Sequence, residues 1–395
     1  MKIAFVLTTV VPRNSIGRIV LNLAKIFKKR GHEIQIFTLD YDSEFIKRYE
    51  IEDREIIRYT QLLFFNKLNK IPIFGYISQL FKFILFGIFL LNKFSKKKPD
   101  IINSHYYLCG ITGYIVSKVL KIPHILTFHG IKLSKTYLSP LFYWTDYLVT
   151  NYLKNNIFHF ISVDPCIKAT RRFKRISNKI KIIYPCLDAQ FIEQIKGFKP
   201  NHNLKNGLKL IYAGRIEKQK GLKRLITILA EDTSCWVELN ITGSGTYQKI
   251  IENLSKQLFI NHKINFTGFL NNFKKIKQMI NSDIFISYSK SEGFPLVILE
   301  FFALGKPCII YPISPFADEK GNLNNLGIKF RDEKLGIFLK SEPNYLLEIL
   351  KAPQLLELFT SEKCEARKQF IKNFYPEKIA NNYLSFFKSI IKKDK

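Results

Sequence analysis

Short runs of apolar residues alternate with segments in which apolar residues recur every three or four positions along nearly the whole chain. Runs such as Lys2–Thr9 predict buried β-strands, and segments such as Gly17–Arg30 predict amphipathic helices. Strands that alternate with helices form parallel sheets, because each helix serves as a crossover between two strands. The pattern therefore predicts an α/β protein.

The predicted strands fall into two series. The first comprises Lys2–Thr9, Glu33–Thr38, Asp100–Ser104, His124–His129, Phe158–Val163 and Ile180–Tyr184. The second comprises Leu208–Gly214, Val237–Thr242, Ile264–Gly268, Asp283–Ser287 and Pro307–Tyr311. A polar stretch, Gly197–Gly207, lies between them, and 395 residues exceed what a single core usually supports. We predict two Rossmann-like domains, residues 1–190 and 191–375, with a helix in residues 376–395 that packs back on the first.

One segment, Ile71–Leu91, contains a single charged residue. Its length is close to the roughly 20 residues that a helix needs to span a bilayer. A transmembrane helix is excluded, because the strands before and after it belong to one predicted sheet. The more polar positions on one face of the helix Gly75–Lys93 are Gly75, Ser78, Gln79, Lys82 and Lys93. Phe86 and Phe89 fall on that same face, which leaves two interpretations: a helix buried all round, or one that docks on a membrane surface. The run Lys96–Lys98 favours the second.

The net charge of +30 is strongly basic, and 18 of these excess charges lie in residues 1–190. Such a field attracts nucleic acid, an anionic membrane or phosphorylated substrates, and composition alone does not choose among them. The sequence has no RRM, KH, zinc or helix-turn-helix signature, so we predict no nucleic-acid partner.

Two further features bear on the compartment. Six cysteines are far apart, with no metal-ligand spacing, and are predicted to be reduced thiols. The short apolar run at the start is followed by no cleavage site and is predicted to be the first strand. We expect a cytoplasmic protein with a peripheral location on the inner membrane.

The strongest chemical signal is the stretch SEGFPLVILE at residues 291–300. Glu292 and Gly293 lie in the loop after a predicted strand, and Pro295 fits the first position of a helix. A helix that begins after a parallel strand is a site for an anion, so a diphosphate would bind there. Carboxylates accept hydrogen bonds from vicinal hydroxyls, a role that suits Glu292 and Glu300.

A second cluster follows the strand that begins the second series. Arg215 and Lys220, flanked by Gly214 and Gly221, place two cations beside the predicted anion site. Arginine takes phosphate oxygens bidentately and lysine acts as a point charge. Together they can stabilise a departing nucleoside diphosphate without a metal ion.

These motifs resemble those of the group 1 (family 4) glycosyltransferases, retaining enzymes of the GT-B fold with a cleft between two domains. The family's E-x7-E element appears as Glu292 and Glu300, and its G-R-x(n)-K-G element as Gly214, Arg215, Lys220 and Gly221. The first domain departs from the family at Gly17, which lacks the usual second glycine beside it.

The resemblance implies a role for each matching residue. Catalysis would involve His129 (in Thr127-Phe128-His129-Gly130), Glu292, Arg215 and Lys220. The donor would be bound by Gly17, Gly214, Gly243, Gly293, Phe294, Leu296, Val297 and Glu300. His105, at the end of a predicted strand, has two interpretations: it contacts the acceptor, or it is a buried histidine of the core.

The predicted function is transfer of a hexose with retention from a nucleoside diphosphate sugar, UDP-linked in most of the family, to a hydroxyl of a growing, lipid-linked cell-surface glycan. No cofactor and no metal are expected. The alternatives are a sugar-nucleotide epimerase or hydrolase of the same fold and a basic nucleic-acid-binding protein.

Overall fold

The computed structural model describes residues 1–12, 14–59, 72–130, 148, 150–157, 159–170, 173–200, 207–290, 292–318, 321–342 and 344–393, with only the backbone at 72–80 and 393. The chain divides into two compact units. Unit 1 comprises Met1–Asp188 and Pro376–Lys395, and unit 2 comprises Ala189–Tyr375. Ser291 and part of the predicted polar linker, residues 201–206, lie outside the described residues.

Unit 1 is built on a parallel sheet that shows seven strands in the described residues, in the order β3-β2-β1-β4-β5-β6-β7. The strands are β1 Lys2–Val10, β2 Glu33–Tyr41, β3 Ile56–Arg58, β4 Ile101–His105, β5 His124–Phe128, β6 His159–Ser162 and β7 Ile180–Ile182. The helices are α1 Ser15–Lys29, α2 Ser43–Lys47, α3 Pro72–Lys96 and α4 Tyr107–Leu120, with 3-10 turns at Pro165–Ala169 and Lys174–Lys179. Central strands such as β4 and β5 are buried at every position, so even their polar residues, such as Asn103 and Thr127, lie in the core.

Unit 2 repeats this architecture with a six-stranded parallel sheet in the order β10-β9-β8-β11-β12-β13 among its described residues. The strands are β8 Leu208–Ala213, β9 Trp236–Thr242, β10 Ile264–Gly268, β11 Ile284–Ser287, β12 Cys308–Ile310 and β13 Gly336–Phe338. The helices are α5 Ala189–Gln194, α6 Leu222–Glu231, α7 Gln248–Gln257, α8 Asn272–Ile280, α9 Leu296–Ala303, α10 Asn325–Asp332, α11 Tyr345–Lys351 and α12 Ser361–Ile371. Its 3-10 turns are Lys218–Lys220, Asn261–Lys263, Pro353–Phe359 and Lys372–Phe374. Each sheet reverses its strand order next to its first strand, as Rossmann folds do, and the predicted fold class is confirmed.

The last helix, α13 (Pro376–Lys393), belongs to unit 1 and packs on α1. The rings of Phe27 on α1 and Phe387 on α13 meet edge to face with 6.3 Å between centroids. Arg30 forms an ion pair with Glu377 beside them. The apolar stripe of the C-terminal segment is thus covered by the first helix of the chain.

The structure changes the view of α3. Phe86 and Lys82 are buried and Phe89 is partly buried, so the face that carries them packs against the protein and is not the one presented outward. The exposed side chains of α3 include Lys93 and the apolar Phe81, Ile84 and Ile88, so the helix is not buried all round. Within the described part of the chain, no helix combines the length and the apolar character needed to span a membrane.

The six cysteines are all described by the structure and form no disulfide bond, in agreement with the predicted reduced thiols. Five of them are buried and Cys235 is partly exposed. Burial raises the pKa of the Cys186 thiol to about 12, so this group is an unreactive part of the core at neutral pH.

Candidate functional site

The carboxyl ends of β8, β9 and β10 in unit 2 are joined by backbone contacts that only glycine allows. Gly243 has φ 134°, and a Cβ there would lie 1.9 Å from the carbonyl oxygen of Gly214. The N–H of Gly214 donates to Thr242 (2.9 Å), and the N–H of Gly243 donates to Gly268 (2.8 Å). Gly214 and Gly243, two of the predicted donor-binding residues, are therefore in contact, and this edge of the sheet presents backbone without side chains.

The loop after β8 carries the predicted cations and is attached to the loop after β11. The hydroxyl of Tyr212 donates to the carbonyl of Arg215 (2.7 Å), which fixes the start of the loop. Gly221, at φ 71°, ends it where a Cβ would lie 2.2 Å from the carbonyl oxygen of Tyr288. The N–H of Lys290 donates to Gln219 (2.9 Å), so the two loops hold each other.

This attachment brings two predicted catalytic residues together. The Nζ of Lys220 lies 2.6 Å from Oε1 of Glu292, and the lysine side chain is 8% exposed while the carboxylate is 21% exposed. Arg215, by contrast, is exposed. Glu292 also raises the pKa of the buried Tyr212 hydroxyl, although burial is the larger cause. The loops at this edge of the sheet thus hold a buried cation, Lys220, that is paired with a carboxylate, and an exposed cation, Arg215.

The helix α9 begins at Leu296, one residue later than predicted, with Pro295 directly before it. Gly293, Phe294, Leu296 and Val297 are partly exposed, so their backbone and side chains are available to a ligand.

Glu300, further along α9, is buried and has a partner that the sequence analysis missed. Its Oε1 accepts a hydrogen bond from Nζ of Lys275 on α8 (2.6 Å), and the lysine side chain is 18% exposed. Nothing in the sequence distinguishes Lys275 from the other lysines of that helix, because the pairing depends on how α8 and α9 pack. The negative charge of the predicted ribose-binding carboxylate is therefore balanced by the ammonium group of Lys275.

In unit 1, His129 directly follows β5 and meets a second histidine. Its Nε2 lies 2.7 Å from Nδ1 of His105, the last residue of β4, and the two rings stack with 5.0 Å between centroids. Register brings them together, since His105 pairs with Thr127 across the two strands. Desolvation lowers the pKa of both rings, with the neighbouring His129 a further cause for His105, so the pair is neutral at pH 7.

Gly17 lies inside the first turn of α1 and is buried. A Cβ there would come within 3.1 Å of Cα of Val10, so this glycine lets the helix approach the end of β1. Asn14 caps the helix by accepting from the N–H of Ile16 (2.9 Å), and its amide donates to Thr9 Oγ1 (2.7 Å). What the structure shows for Gly17 is a packing role, and its contact with a donor stays a prediction.

The predicted site residues are divided between the units: Gly17 and His129 belong to unit 1 and the others to unit 2. Among the residues that the structure describes, no three His, Cys, Asp or Glu side chains form a group suited to a metal ion. That turnover needs no metal ion stays a prediction.

Comparisons with known proteins match both units. The family model "Glycosyl transferases group 1" matches residues 194–327, and the model "Glycosyltransferase Family 4" matches residues 16–191. An uncharacterised glycosyltransferase of Methanocaldococcus jannaschii is 23% identical over 337 residues, which cover 78% of this chain and 80% of the relative.

Two further similarities cover nearly the whole chain. The alpha-monoglucosyldiacylglycerol synthase of Streptococcus pneumoniae is 25% identical over 427 residues, covering 100% of this chain and 89% of that protein. The crystal structure of Anabaena HepE in complex with UDP superposes with a TM-score of 0.72 at 16% identity, covering 98% of this chain and 100% of that one. At this identity the second similarity establishes the fold.

Proposed function

Because the chain belongs to the group 1 (family 4) glycosyltransferases, we propose that it transfers a hexose, with retention of configuration, from a UDP-linked donor to a hydroxyl of a growing, lipid-linked cell-surface glycan. The observation that carries this proposal is the edge of the unit 2 sheet, where Lys220 pairs with Glu292, Arg215 is exposed in the loop after β8, and the backbone of Gly214 and Gly243 is in close contact at the ends of β8 and β9. Support for UDP comes from the Anabaena structure, which was solved with that nucleotide.

In this proposal the diphosphate lies at the start of α9, where backbone N–H groups and the helix dipole favour an anion. Gly293, Phe294, Leu296 and Val297 contribute backbone contacts. Lys220 exchanges its carboxylate partner for a phosphate oxygen, so its ammonium group is paired before and after binding. Arg215, which is exposed, turns onto the diphosphate as it leaves.

The carboxylates bind hydroxyls. Once Lys220 has moved to the phosphate, Glu292 is free to accept hydrogen bonds from the donor sugar. Glu300 binds the ribose hydroxyls. His129 acts on the donor sugar, and the leaving diphosphate takes the proton of the attacking hydroxyl, so no dedicated general base is assigned.

A donor panel tests this assignment. Purified protein is incubated with UDP-, GDP- and ADP-sugars, with and without lipid-linked acceptors, and release of the nucleoside diphosphate is measured. We expect release that depends on an acceptor; release without any acceptor indicates a hydrolase, and conversion of the sugar without release indicates an epimerase.

Substitutions then test the two cations. Arg215→Ala or Lys220→Ala should lower turnover about 10²–10³-fold, the usual loss when a charge-stabilising donor is removed. Lys218→Ala, an exposed lysine of the same loop, is the matched control and should retain normal turnover. Wild-type turnover in a double Arg215→Ala, Lys220→Ala variant would refute the proposed diphosphate site.

The proposal that the acceptor is met at an anionic membrane rests on unit 1. Five large apolar side chains are exposed on α3 and α4, which pack against each other: Phe81, Ile84, Ile88, Ile115 and Val119. Between Glu55 and Asp164 the sequence has 13 basic residues and two acidic ones. An apolar helix surface in basic surroundings suits the interface of an anionic bilayer. The glycolipid synthase among the relatives supports a lipid acceptor.

Vesicle sedimentation tests this surface. The double variant Ile84→Ser, Ile88→Ser should bind anionic vesicles more weakly than the wild type, because these side chains are 59% and 58% exposed and their apolar area would be lost from the interface. The control is Ile250→Ser, Leu356→Ser, which removes two exposed apolar side chains of unit 2. Phe86→Ser is unsuitable, because Phe86 is fully buried and its loss would disturb the core. Equal vesicle binding by the wild type and both double variants would exclude this surface.

A further inference from the structure

The two histidines at the ends of β4 and β5 share one hydrogen bond, between Nδ1 of His105 and Nε2 of His129 (2.7 Å). His105 is fully buried, and its ring also lies 5.9 Å from that of Phe5. Its second nitrogen, Nε2, is buried and has no hydrogen-bond partner among the described residues. His129 keeps part of its surface exposed. The outer ring of the pair is thus the one that a ligand can reach.

Two neutral imidazoles can share this hydrogen bond in two ways. In the first, Nδ1–H of His105 donates to Nε2 of His129, and His129 carries its own proton on Nδ1. In the second, Nε2–H of His129 donates to Nδ1 of His105, and His105 must carry its proton on Nε2. The two arrangements place the proton of His129 on opposite nitrogens.

The unpartnered nitrogen of His105 decides between them. The second arrangement leaves a buried N–H without an acceptor, which is rare in folded proteins and costs free energy comparable to a lost hydrogen bond. The first leaves only a lone pair there. The first arrangement is therefore the more stable.

The backbone next to His105 also shows strain that a purely structural histidine does not need. Tyr106 follows it with φ 69° and ψ 157°, a conformation that residues with a side chain seldom adopt. The turn directs the chain from β4 into α4, and the ring of Tyr106 comes 6.2 Å from that of His129. Strain of this kind is characteristic of sites that hold side chains in place.

We infer that His105 is a positioning residue: its Nδ1–H donates to Nε2 of His129 and holds His129 in the tautomer that carries its proton on Nδ1. In this tautomer His129 has a hydrogen-bond donor for a sugar oxygen, while its only lone pair is occupied by His105. His129 then binds a hydroxyl but takes no proton from one. The importance of this for catalysis rests on the proposed role of His129 at the donor sugar.

NMR of the ¹⁵N-labelled full chain reads the tautomer directly. The ring nitrogens of His129 are assigned by comparison with a His129→Asn variant and correlated with the carbon-bound ring protons. We expect a protonated Nδ1 and an unprotonated Nε2 in the wild type at pH 7.5. A protonated Nε2 would overturn the inference. This measurement needs no activity, so it stands even if the chain transfers no sugar.

Two substitutions separate positioning from packing. His105→Asn keeps an N–H near the position of Nδ1 and should retain turnover within about threefold, whereas His105→Leu removes the donor and should lower turnover about tenfold, the equivalent of one hydrogen bond. His124→Leu is the matched control, because His124 is also buried but bonds to Ser104 Oγ (2.9 Å). It should reduce stability and leave turnover unchanged. Equal turnover in the two His105 variants, or an equal loss in His124→Leu, would show that His105 serves packing alone.

Discussion

Replacing Gly243 by alanine should separate the loops at the edge of the unit 2 sheet. A Cβ there would lie 1.9 Å from the carbonyl oxygen of Gly214. That oxygen has little freedom, because the N–H of Gly214 donates to Thr242 and the N–H of Gly243 donates to Gly268. The new methyl group therefore has to displace hydrogen-bonded backbone, since no side-chain rotation relieves the overlap.

The size of the effect follows from these distances. A carbon atom approaches a carbonyl oxygen to about 3.3 Å at closest, so the backbone must open by about 1.4 Å. Alanine at the φ of 134° found here adds strain of about 1–3 kcal/mol, and one broken backbone hydrogen bond adds about 1–3 kcal/mol more. We expect Gly243→Ala to lower the free energy of unfolding by about 2–6 kcal/mol and to weaken UDP binding at least about tenfold.

The matched control is Gly268→Ala. Gly268 also has a positive φ, 67°, but a Cβ there would have no atom within 4 Å. This variant carries only the conformational cost, about 1–2 kcal/mol.

Urea unfolding followed by tryptophan fluorescence measures the difference. The chain has two tryptophans, Trp144 and Trp236, and Trp236 is buried in unit 2. In a Trp144→Phe background the signal reports unit 2 alone, and calorimetric titration gives the affinity for UDP. If the Gly243→Ala and Gly268→Ala variants unfold at the same urea concentration and bind UDP equally, the close approach at Gly243 does not shape the site.

Three further predictions concern charge. EDTA should leave turnover nearly intact, because the site's own cations face the diphosphate; strict dependence on Mg²⁺ or Mn²⁺ would contradict the proposed chemistry. Lys275→Met should weaken UDP binding about tenfold by removing the ammonium group that pairs with the buried Glu300, whereas the exposed Lys274→Met should not, as titration calorimetry can check. Burial lowers the pKa of His124 to about 3. Below about pH 6.5 the unfolded chain therefore binds a proton on this residue and the folded chain does not, so acid favours unfolding. The stability of unit 1 is complete above pH 6.5 and should fall by about 2 kcal/mol from this residue by pH 5. Urea unfolding at pH 7.5 and 5.0 should show a smaller loss in His124→Leu, and an equal loss would exclude His124 as the cause.

The sequence pattern predicted the sheets well where strands are long and buried, because such strands read as continuous apolar runs. It missed the strands β3 (Ile56–Arg58) and β13 (Gly336–Phe338), which are too short to show a pattern. For α3 it left two interpretations open. That helix is apolar nearly all round, so the pattern did not show that Lys82 and Phe86 are buried while Ile84 and Ile88 are exposed.

In the candidate site, too, the sequence predicted some features and missed others. The motif residues Arg215, Lys220 and Glu292 stand out in the sequence, and the structure adds that two of them form an ion pair. The sequence singled out His105 but not its pairing with His129, which comes from strand register, and the pairing of Lys275 with Glu300 comes from helix packing. Pairing across elements is therefore what the sequence could not supply.

The docking of α13 on α1 has a consequence for biosynthesis. As the chain leaves the ribosome, the apolar side of α1 around Phe27 emerges early, while its cover, Phe387, is translated only after all of unit 2. Domains usually fold in the order in which they are made. Here the second unit can complete its folding first, because the first unit needs the helix α13, which is translated last. In a nascent chain arrested before Pro376, the apolar side of α1 would lack its cover. We expect the first unit of such a chain to aggregate or to bind chaperones.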